Sequence, residues 1–340
     1  MSLTRRNFIH ASTAAVAAFS MLRPARAQTL TARQYHSQPE DSHLHLYLRK
    51  IWDAVGAETN GQLSVTVYAR NNGEAAGDPD ILKQLQAGEL EFFTLNGNIL
   101  SQAAPAPAAD IQGIPFAYSS SRQVAALNDG EFGDYLRHEL ASKGIQLIPF
   151  GSMENGFKQI TSVERPIQKA GDLRGFKMRV PNGKLFFDFY DALGAAPKIV
   201  NFNRLYQALA AHEVDGQENP LVDAEDNKLY EVCKYVGLTS HEWAGYNMLS
   251  NQAFWQRLPG DIQDSIVRNT KKFVPQQRAF VQTLNASAEN KLRARGMIFT
   301  QADTESFRKA LTDAGFYTTW RASCGEKAWA LMEAQTGPIG

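Results

Sequence analysis

Twice along this chain, short alternating apolar runs are separated by segments of helical spacing, and that pattern limits the fold more than any other feature. In the first series Thr29–Tyr35 reads as a strand, and His43–Ala57 sets Leu44, Leu48, Ile51 and Trp52 on one helical face. Leu63–Tyr68 alternates again. A helix opens at Asp78-Pro79-Asp80 and ends at Gly88, and Leu90–Leu95 is a short buried strand delivering Asn96-Gly97-Asn98 at its end. An Ala- and Pro-rich loop, Ala103–Ala109, leads to a helix over Ser121–Lys143 and a strand over Ile145–Phe150. The second series follows Gly151, with strands over Phe157–Thr161, Lys177–Val180 and Ala196–Val200 and helices around Leu185–Leu193 and Arg204–His212. From Leu258 to Ala294 the spacing is helical, with Asp261 expected to cap the start and Pro275 to break or kink the run. Such alternation builds an α/β layer in which ligands meet the C-terminal ends of strands. Two layers in one chain predict an α/β fold of two lobes with a cleft between them.

Residues 1–27 read as a leader instead. Paired arginines in Thr4-Arg5-Arg6-Asn7-Phe8 precede an apolar run, Ala11 to Leu22, too short to span a bilayer, and Ala25-Arg26-Ala27 offers a small-x-small cleavage site. This is the pattern of a twin-arginine-type signal peptide, which predicts a periplasmic, soluble mature chain that folds before export. The leader holds four arginines and no acid, so beyond it 31 basic side chains face 35 acidic ones. That balance gives no footprint for nucleic acid or an anionic membrane surface. Cys233 and Cys324 are the only cysteines, too few for a cysteine-based metal cluster; two free buried thiols and one disulfide are both open readings.

The stretch from Asp172 to Pro220 links several motifs in order. Asp172-Leu173-Arg174-Gly175-Phe176-Lys177-Met178-Arg179-Val180-Pro181 is followed by Ala192-Leu193-Gly194-Ala195-Ala196-Pro197. Phe202-Asn203-Arg204-Leu205-Tyr206 and Val214-Asp215-Gly216-Gln217-Glu218-Asn219-Pro220 complete the series. This stretch resembles the solute-binding proteins of the TRAP (tripartite ATP-independent periplasmic) transporters, the dicarboxylate- and sialic-acid-binding-protein-like family. The resemblance implies a two-lobed, periplasmic-binding-protein-like α/β fold with a ligand cleft and a long helix spanning both lobes. Lobe 1 is expected to hold residues 28–152 plus about 241–283, and lobe 2 residues 153–240 plus about 284–340. The implied function is extracytoplasmic capture of an organic carboxylate by a monomer that delivers it to the TRAP permease membrane subunits. A carboxylate sensor docking on a signalling receptor is the alternative.

A guanidinium at a strand end can form two parallel hydrogen bonds to a carboxylate, and Arg179 occupies the position of the family's carboxylate-binding arginine. Asn219 matches the ligand-contacting asparagine; its structural alternative is turn formation before Pro220. Phe202 matches an aromatic that covers the ligand, with core packing as the other reading. Lys158 stands where many members carry a second ligand-binding arginine. Lysine keeps the charge but loses the planar fork, so a point-charge contact is expected. Arg204 departs from the pattern's glutamate and is read as a helix-surface change. In the first lobe Asn96 is the candidate for substrate-selective contact, and His36 sits where the N-terminal segment approaches the ligand, though a lone histidine is more often structural. Trp243 and Tyr246 lie in a segment that returns to the first lobe, placed to stack on a ligand or to pack.

No G-x-S-x-G, H-E-x-x-H or G-x-x-x-x-G-K-(S/T) motif occurs. His43 and His45 point to different helical faces, which disfavours chelation. Glu154 and Glu218 form a conceivable carboxylate pair, but a cationic pocket is expected to keep both ionised and unfit as general acids. An exported lyase or hydrolase on this scaffold is the lesser alternative, and neither cofactor nor metal is expected.

Overall fold

A computed structural model describes residues 29–339, and the expected signal peptide lies outside the described residues. Among the described residues eleven strands form two sheets: β1 Leu30–His36, β2 Leu63–Tyr68, β3 Phe92–Asn96, β4 Ile145–Met153, β5 Gln159–Ser162, β6 Lys177–Val180, β7 Ala196–Ile199, β8 Gly216–Asn219, β9 Tyr235–Leu238, β10 Tyr246–Asn251 and β11 Ile298–Gln301. The first sheet has the order β2-β1-β3-β10-β4, and the second β11-β9-β5-β8-β6-β7. β1 is parallel to β2 and β3, whereas β10 runs antiparallel to both β3 and β4, between which it lies. All six residues of β10 are buried, as a central strand covered on both faces requires.

The chain crosses between the sheets from β4 to β5, from β9 to β10, and through a 35-residue helix, Gly260–Ala294, that leads to β11. This helix packs on helix His43–Glu58 and β4 at one end and on helix Leu221–Asp226 at the other. Side chains fasten it to the crossing backbone. Gln277 accepts from Glu154 N at 2.9 Å and donates to Glu154 O at 2.7 Å, and Asn285 donates to Asn155 O at 2.9 Å.

Local chemistry explains most boundaries. Ser42 caps helix His43–Glu58 by accepting from His45 N, and Gly88 closes helix Asp78–Ala87 in the left-handed region at φ 79°. Five expectations change. Ser121–Lys143 is two helices, Ser121–Asp129 and Glu131–Ala141, because Gly130 adopts extended geometry and starts the second one. Helix Gly260–Ala294 continues through Pro275, held on both sides by packing, and its N-cap is Pro259, with Asp261 in the first turn. β5 begins at Gln159 because Phe157 pairs in an isolated bridge with Trp243 across the crossing. β4 runs on to Met153, past Gly151.

One apolar cluster joins Phe93, Ile111 and Leu127 of the first sheet's side to Ile160, Met178 and Phe189 of the second, and takes in Phe307, Trp320 and Trp329. After β11 joins the second sheet, helix Glu326–Thr336 packs on helices Ser121–Asp129 and Glu131–Ala141. The C-terminal segment expected to belong with the second lobe therefore straddles both. Cys233 and Cys324 are free and buried, which selects the thiol reading. Among the described residues no helix is long and apolar enough to cross a membrane.

Candidate functional site

Between the sheets lies a small cavity of about 50 Å³, and its walls come from both. Arg179, Asn219, Lys158, Phe202, Asn96 and Tyr246 all line it. His36 and Trp243 do not. Strand alternation explains the first: His36 turns to the opposite face, where Nε2 meets His45 Nδ1 at 3.0 Å, while the next residue, Ser37, lines the cavity. Burial, with the neighbouring His45 and His43, lowers the His36 pKa to about 3. Trp243 is buried beneath the crossing, donating to Glu154 Oε1 at 2.7 Å.

Arg179 leaves β6 with 2% of its surface exposed. Its Nε donates to Val200 O at 2.8 Å, and its Nη2 has no hydrogen-bond partner. Phe202 lies alongside, with its ring centre 5.9 Å from the guanidinium carbon. Burial lowers the Arg179 pKa to about 10 against the pull of Glu218 and Asp78, so the group stays cationic at neutral pH. A buried guanidinium with an unused donor carries a desolvation cost that an incoming anion relieves.

Lys158 lines the cavity and is also engaged with protein groups. Its Nζ lies 2.7 Å from Glu218 Oε1, 2.9 Å from Glu242 Oε1 and 3.8 Å from the centre of the Phe186 ring. Glu218 Oε2 also accepts from Tyr190 at 3.0 Å and from His241 Nε2 at 2.6 Å. Thr239 Oγ1 meets His241 Nδ1 at 2.8 Å, and the His241 ring stacks on Phe189. The two carboxyls diverge. Burial opposes ionisation of Glu218, but Lys158 and His241 outweigh it and bring the pKa down to about 2. Burial raises that of Glu242 well above the usual range, and the Glu218 charge adds to the effect. One ammonium favours ionisation of one buried carboxylate, and burial disfavours ionisation of the second. Glu218, His241 and Glu242 approach one another as metal ligands do, but the Lys158 ammonium is already bonded to both carboxyls.

The conceivable carboxylate pair of Glu154 and Glu218 does not form: Glu154 is bonded to other groups. Glu154 Oε1 accepts from Gly156 N at 2.7 Å, Asn155 N at 3.1 Å and Trp243, and burial pushes its carboxyl pKa up. Burial thus works against the ionised form that a cationic pocket was expected to favour. Asn96 caps helix Gly97–Ala103 and donates to Gly245 O at 3.2 Å, while Asn219 donates to Gln217. Tyr246 OH accepts from Gln38 at 2.7 Å and Asn155 at 3.0 Å. Sequence reasoning missed Ser37, Gln38, Asp78, Asn155 and Phe186 among the lining residues. Ser37 and Gln38 follow β1, and Asp78 opens a helix after β2, so strand-end position was the signal that could have found them. Asn203 of one side also donates to Ala75 O of the other at 3.3 Å.

Two sheets joined by three crossings, with a cavity between them that holds a buried, unpaired guanidinium, define a cleft-type binding protein. The chain matches the bacterial extracellular solute-binding protein, family 7 (DctP) over residues 35–315, and it belongs to that family, the solute-binding proteins of TRAP transporters. It is 30% identical over 290 residues to the solute-binding protein RD1_1052 of Roseobacter denitrificans, covering 85% of this chain and 87% of the relative. It is 30% identical over 245 residues to the C4-dicarboxylate-binding periplasmic protein DctP of Rhodobacter capsulatus, covering 72% of this chain and 71% of that one. A TRAP periplasmic solute-binding protein from Polaromonas sp. JS666, bound to D-erythronate, superposes with a TM-score of 0.83 at 26% identity over 90% of this chain and 99% of that one. The structure of the Roseobacter protein with bound L-galactonate superposes with a TM-score of 0.81 at 26% identity over 91% and 99%. These relatives are binding proteins, not enzymes, and delivery to a permease is typical of the family.

Proposed function

We propose that this protein captures an organic carboxylate in the periplasm, as a monomer, and presents it to the membrane subunits of a TRAP permease. One observation carries the reading: the Arg179 guanidinium is buried at the cavity wall with Nη2 unpaired, the arrangement that a ligand carboxylate completes. Asn219 and Phe202 belong to the same wall as Arg179, and Asn96 and Tyr246 to the facing one, so a ligand held between them favours the closed form. The acids bound by the erythronate and galactonate complexes support carboxylates as the ligand class. The twin-arginine leader supports a periplasmic setting.

A thermal-shift screen against a carboxylate library tests this, since a ligand at 100 times its dissociation constant adds about 2.7 kcal/mol to stability. Arg179→Ala should abolish the shift at a cost to binding of roughly 3–5 kcal/mol. The variant should stay folded, because the deleted charge is unpaired in the unliganded protein. If it binds acids within a few-fold of wild type, Arg179 is not the anchor.

A further inference from the structure

Backbone groups have one hydrogen-bonding sense, since an N–H only donates and a carbonyl only accepts, and at the β4–β5 crossing they impose that sense on a buried chain of side chains. Glu154 N donates to Gln277 Oε1 at 2.9 Å and Glu154 O accepts from Gln277 Nε2 at 2.7 Å, so the Gln277 amide has one orientation. Its other N–H meets His43 Nδ1 at 3.1 Å. That nitrogen is therefore the acceptor of the ring, and the proton of the neutral imidazole sits on Nε2, 3.0 Å from Asn155 Oδ1. Burial lowers the His43 pKa to about 4 and so keeps the ring neutral. With Oδ1 taken by His43, the Asn155 amide nitrogen spends its two protons on Asp223 Oδ2 at 2.8 Å and on the Tyr246 hydroxyl oxygen at 3.0 Å. Gln277, His43, Asn155 and Tyr246 are all buried.

The chain ends at the cavity, which Asn155, Tyr246 and Gln38 all line. Gln38 Nε2 donates to the same Tyr246 oxygen at 2.7 Å. A hydroxyl oxygen accepts two hydrogen bonds at most, so that oxygen is filled, and its own proton has no acceptor among the described residues. Turning the Gln38 amide over moves this surplus without removing it: Tyr246 then donates to Gln38 Oε1, otherwise buried without a donor, and the Gln38 N–H groups lose their acceptor. We propose that Tyr246, with Gln38, is a hydrogen-bond donor site for an acceptor oxygen of the bound acid on the wall facing Arg179, and that Gln277, His43 and Asn155 are positioning residues that fix its polarity. This inference rests on the carboxylate-capture reading above. It gives recognition to the Tyr246 hydroxyl rather than to its ring, and it makes His43 and Gln277, which do not line the cavity, determinants of affinity.

Two measurements on the purified full chain decide it. Nitrogen-15 NMR of the unliganded protein should show His43 neutral and protonated at Nε2 at neutral pH; the Nδ1–H tautomer or a charged ring overturns the polarity. Calorimetry with L-galactonate, D-erythronate and D-galacturonate then reads the donor. Tyr246→Phe, which keeps the ring and removes the hydroxyl, should weaken whichever of these binds wild type by about 10- to 100-fold. Asn155→Asp turns a donor into an acceptor that captures the Tyr246 proton, so it should weaken binding by a similar factor. The double variant should then be no more than about threefold worse than the weaker single one, because both changes remove the same bond. Tyr246→Phe binding within threefold of wild type overturns the assignment, as do additive losses in the double variant or no binding of the three acids by wild type. Where Asn155→Asp fails to fold, the His43 tautomer and Tyr246→Phe still decide. Arg179→Ala separates the two readings: if it removes binding that Tyr246→Phe leaves intact, only the donor site falls, whereas binding that survives Arg179→Ala sinks the capture reading itself.

Discussion

Replacing Lys158 with methionine should cost fold stability, and the cost should depend on pH in a sense fixed by Glu218. The folded pKa of Glu218, about 2, lies below its ordinary 4.5. A depressed carboxylate contributes stability that is present above the unfolded pKa and is lost as pH falls through the folded one. At about 1.4 kcal/mol per unit, this contribution comes to about 3 kcal/mol at neutral pH. Without the ammonium, burial dominates, the folded pKa rises above 4.5, and the sign reverses, so that the variant loses stability as pH rises. His241 can take up a proton and shield Glu218 only on the acidic side, which sharpens the same trend. Urea unfolding of wild type and Lys158→Met should therefore show a deficit of roughly 3–5 kcal/mol at about pH 8 and less than half of that at about pH 5. A deficit below about 1 kcal/mol at the higher pH, or one equal at both, would refute the view that Lys158 is the counter-ion of Glu218 rather than a ligand contact.

Two further outcomes follow from the geometry. The hydrogen bond from Asn203 to Ala75 O joins the two sides, so if a ligand draws them together, small-angle scattering should give a larger radius of gyration without ligand than with it; equal radii would count against hinged closure. Burial raises the Cys233 thiol to about 12 and Cys324 higher still, so both should resist a thiol reagent in the native protein and react once it is unfolded, with no reductant needed. Fast labelling of the native chain, or a reductant-dependent count, would contradict their placement.

The alternation of strands and helices was legible because each element carries its own period, and Lys177–Val180 and Leu63–Tyr68 have the bounds that their side chains predict. Arg179 was legible for a related reason: a strand end followed by Pro181 is a local feature. What lay hidden depends on convergence. The Lys158 site is built by Glu218 from β8, by Glu242 from the crossing before β10, and by Phe186 from helix Lys184–Ala192, and no local spacing relates these positions. His36 was misplaced by one residue of strand parity, which inverts the face. Trp243 looked like a cleft aromatic because its sequence neighbours are; the bond to Glu154 that holds it below the crossing joins residues 89 apart.

The position of β10 bears on how the molecule is made. The first sheet has its central strand from residues 246–251, so a nascent chain that has emerged only through β4 has β3 and β4 without the strand that joins them. Almost the whole second sheet must be synthesised in the interval. The first lobe is therefore not a segment that can be completed alone, and truncation before Tyr246 should leave an open sheet edge rather than a smaller folded domain. Pairings so distant in sequence close large loops and slow folding. With the helix Gly260–Ala294 fastened to the β4–β5 crossing as well, loss of one lobe's structure should carry the other with it in a single cooperative step.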